Sequence, residues 1–318
     1  MTPDVFAEWL RRQGHRVFQT ASSYWYDQGP RVFQAFPYHR LITPSAEELE
    51  QFLVRARAVG LRFSTPVDSD QGMISYHAVY EGPSYALTNL PRKARYDVRM
   101  GLEHFQIEPI SFERMATEGW EVRSDTLRRQ QREQAEEAGW WRRLCASAVG
   151  LQGFEAWGAL AANRLAACLI AFTAEGCCSI LYQQSRSECL AQGVNNALTY
   201  GFTQTALARD GVGSIFYGLQ SLDAPSSVDA FKFRMGYRAK PVRQRVVFNP
   251  VLRPLFNGGS RAALRLARRL RPHSAFLARA EGMMRLYFEG KQPLARQQWP
   301  EALADRRQAI LVEDSPPT

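Results

Sequence analysis

Metal chemistry is the first thing this sequence makes no provision for. Its five histidines, at 15, 39, 77, 104 and 273, are scattered with no H-x-x-x-H pair. Cys145, Cys168, Cys177, Cys178 and Cys189 show no ligand spacing either, so no metal centre is expected. An odd set of thiols without a paired framework reads as reduced cysteines in a cytoplasmic protein. No apolar run approaches the roughly 20 residues that span a bilayer, so no transmembrane segment is expected. The opening MTPDVFAEWLRRQGHR lacks the charged-then-apolar order of a secretory signal. Neither G-x-G-x-x-G nor G-x-x-x-x-G-K-[ST] occurs, which leaves NAD and P-loop chemistry without support.

What the sequence does have is positive charge. Net charge is +9 and the isoelectric point is near 9.5. That balance favours anionic partners: a phosphorylated donor, RNA or a membrane surface. Much of the excess falls in LPRKARYDVR (residues 90–99) and SRAALRLARRLRP (residues 260–272). In the second, Ala263, Leu266, Ala267 and Leu270 share a helical face, with the arginines mostly elsewhere. A helix packed by its leucines with a solvated basic face is expected, and a peripheral membrane contact through 260–272 is the alternative.

Hydrophobic patterning divides the chain into four parts: 1–120, 121–150, 151–250 and 251–318. The first 45 residues are aromatic and read as short strands. SAEELEQFLVRARAVG then reads as a helix capped by Ser45, with Glu48 at its third position and Gly60 as its stop. Further along, RKARYDVRMGLEHFQIEPIS reads as a basic helix stopped at Gly101, then a strand. Residues 124–144 are polar and helical, suited to a solvated bridge between two lobes. A basic helical extension and tail follow residue 250.

The stretch from 154 to 248 is the most legible. Three strands with turns at Ala162-Asn163 and Glu175-Gly176 form a meander. A helix capped at Asn195 or Asn196 and ended by Gly211 follows, then a strand. SSVDAFKFRMGY (residues 226–237) reads as a short helix with Val228, Phe231 and Met235 on its buried face. Gly236 ends it in the left-handed conformation and Tyr237 re-enters the core. Lys232 stands at the edge of that stripe, as a snorkelling stem or a phosphate ligand. A final strand closes the order β-β-β-α-β-α-β, a mixed α+β sheet.

That order resembles the GCN5-related N-acetyltransferase (GNAT) fold, and more narrowly its FemAB-like and BioF2-like branch. The run AFKFRMGY is similar to the branch's FK-x-x-x-G-aromatic signature, with Lys232 where ordinary GNAT enzymes carry tyrosine. The strand, loop, long helix and second strand of LYQQSRSECLAQGVNNALTYGFTQTALARDGVGSIFYGL add to the likeness. So do the basic helix–strand element of the first lobe and a plan of two tandem GNAT-like lobes.

The resemblance implies an N-acyltransferase, moving an acyl group from acyl-CoA or acetyl-CoA, or from an aminoacyl-tRNA, to an amine. The acceptor it implies is a small molecule or a glycan or cell-envelope precursor. A pantetheine arm would pair with the strand before the loop, and its pyrophosphate would sit at the following helix N-terminus. Gln184, Gly193, Asn195, Asn196 and Lys232 are then the donor-binding residues. Tyr217, Asp223 and Tyr182 are the catalytic candidates, and Gln220 binds the acceptor. The family loop carries several closely spaced glycines, whereas this chain has only Gly193 in AQGVNN. That departure keeps a second reading open, a non-catalytic scaffold that binds an anionic partner.

Overall fold

The computed structural model describes residues 1–131, 137–220, 226–271 and 274–313. From the N-terminus, α1 (Pro3–Arg12) leads into β1 (Val17–Gln19), β2 (Tyr24–Gly29) and β3 (Val32–Phe36). Next come α2 (Ala46–Arg55), β4 (Gly60–Thr65), β5 (Met73–Glu81), α3 (Arg92–His104) and β6 (Gln106–Ile110). Two helices, α4 (Phe112–Arg129) and α5 (Ala138–Ala148), precede the meander β7 (Phe154–Ala161), β8 (Arg164–Ala174) and β9 (Cys177–Ser185). α6 (Val194–Leu207), β10 (Ser214–Leu219), α7 (Ser226–Arg234) and β11 (Arg238–Phe248) follow. The chain closes on α8 (Gly258–Leu270), α9 (Ala275–Glu289) and α10 (Arg307–Glu313).

The expected mixed α/β class and the order of elements from 154 to 248 are both present. Ala162, Asn163, Glu175 and Gly176 all have positive φ, the backbone that two-residue hairpin turns require. The chain forms two compact units. The first is Met1–Gly14, Ala78–Gly218 and Ser226–Arg238, and the second is His15–His77, Leu219–Pro225 and Ala239–Thr318.

In the first unit the strands run β10-β9-β8-β7-β6. β9 and β10 are parallel, whereas β6/β7, β7/β8 and β8/β9 are antiparallel. α3 and α6 pack against the core of Val98, Trp157, Leu169, Leu198, Phe202 and Ile215. The basic helix–strand element expected in the N-terminal lobe belongs to this unit, because β6 pairs with β7 from Gln106↔Leu160 to Ile110↔Ala156. Residues expected as a solvated bridge are here too. Trp141, Leu144 and Cys145 of α5 are buried, and the Trp141 indole donates to the Met115 carbonyl of α4. Residues 132–136 of that stretch lie outside the described residues.

The second unit orders its strands β1-β2-β3-β4-β11, with β3/β4 parallel. α2 covers Trp25, Phe33, Leu61 and Phe63. Ser45 caps α2 by accepting from the Glu48 N–H. The helix stops at Arg55, however, with Arg57 in the left-handed region, and Gly60 instead opens β4, where its bare Cα faces Phe248.

Two further expectations are corrected. Residues 3–12 form a helix rather than strands, because Phe6, Ala7, Trp9 and Leu10 recur on one face and are buried. The reading of α8 is inverted. Two of its arginines turn inward, Arg261 to Glu289 (3.3 Å) and Arg268 to Glu281 (2.8 Å) on α9. Leu266 and Leu270 point outward, 58% and 76% exposed. The two α9 carboxylates attract the basic face, and only Leu264 joins the core there. Among the described residues no helix is long and apolar enough to cross a membrane.

Candidate active site

All the described features of this site lie within the first unit. β9 and β10 pair over Ser214↔Cys177, Ile215↔Cys178 and Phe216↔Ser179. Beyond that point β9 kinks. The partner of Ala171 is Ile180 but that of Ile170 is Tyr182, so Leu181 is a bulge. A bulge bends its strand and re-aims the side chains after it. Here it accompanies the opening of the seam between β9 and β10.

Gln183 bridges the opened seam. Its amide nitrogen donates to Thr199 Oγ1 of α6 at 3.0 Å, and its Oε1 accepts from the Tyr217 hydroxyl of β10. The Tyr217 ring meets Tyr237 edge to face, with centroids 5.0 Å apart. Tyr237 in turn shares a 2.6 Å hydrogen bond with Thr203 of α6, and the Tyr85 hydroxyl donates to the Met235 carbonyl. Burial pushes the phenols of Tyr85, Tyr217 and Tyr237 above their usual range. They are hydrogen-bond donors at neutral pH, not bases.

Lys232 closes the far end. It lies 5.5 Å from the Tyr217 ring centroid and 2.7 Å from Asp229 Oδ1. Its Nζ is 3.8 Å from the position a Cβ would take on Gly218, whose φ is +133°. The residue is 7% exposed, too buried for a snorkelling stem. After α7 the Tyr237 N–H bonds to the Lys232 carbonyl and the Gly236 N–H to that of Phe233. With Gly236 at φ +82° this is the left-handed helix exit the sequence promised.

The other expected residues divide. Tyr182 points away from Gln183, as alternation along a strand requires. It sits 6.0 Å from Trp141 and 6.3 Å from Trp140, with the Arg123 guanidinium 5.3 Å from its ring. It is therefore not brought together with Tyr217. Gln184 is buried in register with Cys168. Gln220 is taken up by β5 residues of the second unit: its N–H donates to the Tyr76 carbonyl and its Oε1 accepts from Ser75. Asp223 lies outside the described residues, as do the side chains of Ser226 and Val228.

The donor loop also differs from its expected form. α6 begins at Val194 with Gly193 as its cap, so Asn195 and Asn196 are inside the first turn. Asn196 donates to the Met235 sulfur at 3.3 Å. Gly193 has φ +73°, and a Cβ there would fall 2.3 Å from the Asp97 carbonyl oxygen of α3. Its bare face is filled by helix packing. A coenzyme A pyrophosphate held on closely spaced glycines does not fit these residues. Gln183, Thr199, Asp229 and Tyr237 were not singled out as site residues in the sequence. The i,i+3 spacing of Asp229 and Lys232 was the signal available for one of them.

No protein-family model matches the chain, and no curated protein matches it. Solved structures match by fold. The C-terminal domain of a protein assigned as a lysylphosphatidylglycerol synthetase from Agrobacterium fabrum has TM-score 0.53 at 16% identity, over 83% of this chain and 90% of that one. FemX has TM-score 0.55 at 10% identity, over 78% and 92%. A conserved protein of unknown function from Bacteroides thetaiotaomicron has TM-score 0.53 at 10% identity, over 76% and 88%. At these identities the likeness speaks for the fold, and the fold of this chain is GNAT/FemAB-like.

Proposed function

We propose that the chain is an N-acyltransferase that moves an activated acyl or aminoacyl group onto an amine of a small molecule or of a glycan or cell-envelope precursor. One observation carries the reading. The parallel strands β9 and β10 part after Phe216↔Ser179, and a protonated phenol, Tyr217, and a buried ammonium, Lys232, stand together at the opening.

In the reaction the amine nitrogen attacks the acyl carbonyl, a C–N bond forms and the bond to the carrier breaks. The carrier oxygen or sulfur leaves and takes up the proton that the amine loses. Tyr217 is a donor for the oxyanion or the departing atom once it releases Gln183. Lys232 supplies fixed positive charge beside it, held in place by Asp229. Asp223 is the acceptor for the amine proton, through water.

The packing of Gly193 on α3 makes coenzyme A the less suited carrier. That same α3 carries Arg92, Lys93, Arg95 and Arg99. Such a set of cations suits the phosphates of a nucleic-acid carrier, so an aminoacyl-tRNA is the favoured donor and acyl-CoA the comparison. The Tyr217–Gln183 bond, which ties the seam side chain to side chain, favours one other reading, a non-catalytic scaffold that binds an anionic partner.

The experiment is a thermal-shift screen with acetyl-CoA, longer acyl-CoAs, and charged and uncharged tRNA, followed by a transfer assay on a panel of amines. A donor at a hundredfold excess over its dissociation constant stabilises the native state by about 2.7 kcal/mol. A shift with charged tRNA and transfer of its aminoacyl group supports the proposal. Equal shifts with charged and uncharged tRNA and no transfer support the scaffold. No shift with any donor and no transfer overturns both.

A further inference from the structure

The outward face of α8 is the least explained surface of the second unit. At 100° per residue, Ala262, Ala263, Leu266 and Leu270 fall on one side of the helix, with Arg265 and Arg269 beside them. All six are exposed. The inward side is Arg261, Leu264 and Arg268; these two arginines pair with Glu289 and Glu281 of α9, and the half-exposed Arg265 also lies 4.0 Å from Glu281. The helix is thus anchored by ion pairs and presents its leucines to solvent. Burying Leu266 and Leu270 against the protein would have been the ordinary outcome.

The flanking segments share the character. In the 3-10 turn Pro250–Leu255, Val251 and Leu255 are 83% and 64% exposed, and Phe276 at the start of α9 is 65% exposed. From residue 250 to residue 280 the sequence holds seven arginines and no aspartate or glutamate.

We propose that this face docks on an anionic lipid bilayer surface. Exposed leucines enter the headgroup–acyl boundary and arginines beside them meet lipid phosphates, which is how interfacial amphipathic helices bind. The one-sign charge argues against a second copy of the chain, because a two-fold contact would set arginine against arginine. A single helix face is convex and gives an extended peptide no groove. The inference stands on α8 and is independent of the reaction proposed for the first unit.

The test is co-sedimentation of the full chain with vesicles of phosphatidylcholine containing phosphatidylglycerol, against phosphatidylcholine alone, with light scattering of the free protein. The parent is expected to pellet at least about tenfold better with the anionic vesicles, and to be released by high salt. Leu266→Glu with Leu270→Glu should abolish pelleting with no change in the melt. Arg265→Gln with Arg269→Gln should weaken it roughly fivefold per arginine, on the order of 30-fold together. Equal pelleting with neutral vesicles, no pelleting at all, or pelleting that survives the two glutamates overturns the proposal. A dimer in free solution that the two glutamates convert to a monomer overturns it as well, because the face would then be a self-association surface.

Discussion

Lys232 Nζ stands 2.7 Å from Asp229 Oδ1, one turn back on the same short helix, with the two side chains only 8% and 12% exposed. Removing the lysine alone therefore tests two things at once, since it also takes the ion-pair partner from a buried carboxylate. Lys232→Met should destabilise by about 3–5 kcal/mol in urea unfolding. Adding Asp229→Asn should recover most of that loss. Donor affinity is then measured on the double variant, where a lost charge-assisted contact of about 1.5–3 kcal/mol should appear as a ten- to hundredfold weakening. Unchanged affinity there would reduce the pair to a structural feature.

Tyr217→Phe removes only a hydroxyl that donates to Gln183. Stability should fall by about 1 kcal/mol, while the rate of acyl transfer falls by about a hundredfold at unchanged donor affinity. Single-turnover kinetics beside a thermal melt separates the two effects. A variant as fast as its parent would remove Tyr217 from the reaction.

Gly101 and Gly193 hold α3 against α6. A Cβ on Gly101 would meet the Gly193 carbonyl oxygen at 2.6 Å, and one on Gly193 the Asp97 carbonyl oxygen at 2.3 Å. Both neighbours are backbone and have little room to move. Each alanine substitution should destabilise by about 1–3 kcal/mol from overpacking, with Gly193→Ala the worse because its φ is positive. Chemical denaturation ranks them, and a neutral Gly193→Ala would contradict the packing described.

His77 is buried against Ser64 at 2.9 Å, and burial first, then His39 and Lys240, hold its pKa at about 3 instead of 6.5. The unfolded chain binds a proton in this window that the folded chain refuses. Stability is therefore complete above pH 6.5 and declines as pH falls, by about 1.4 kcal/mol per unit from this group. His77→Gln should flatten that slope. Urea midpoints measured at several pH values below neutrality decide it.

The sequence carried residues 154–248 well because its signals there are local. Two-residue turns with left-handed backbone, a glycine helix exit and alternating apolar residues each act within a few positions. What it could not carry was which faces meet. Whether Gln183 or Tyr182 faces α6 depends on a one-residue bulge at Leu181, and a single inserted residue inverts every side chain beyond it. Gly101 read as a stop because a mid-helix glycine is unfavourable in isolation. Only the approach of α6 explains it. α8 was misread for the same reason, since the acids that turn its arginines inward are 13 and 28 residues downstream of them.

The chain passes from one compact unit to the other five times, at the boundaries after Gly14, His77, Gly218, Pro225 and Arg238. No single cut can therefore release either unit whole. A fragment ending at any one point loses strands or helices that the retained unit draws from the far side of the cut.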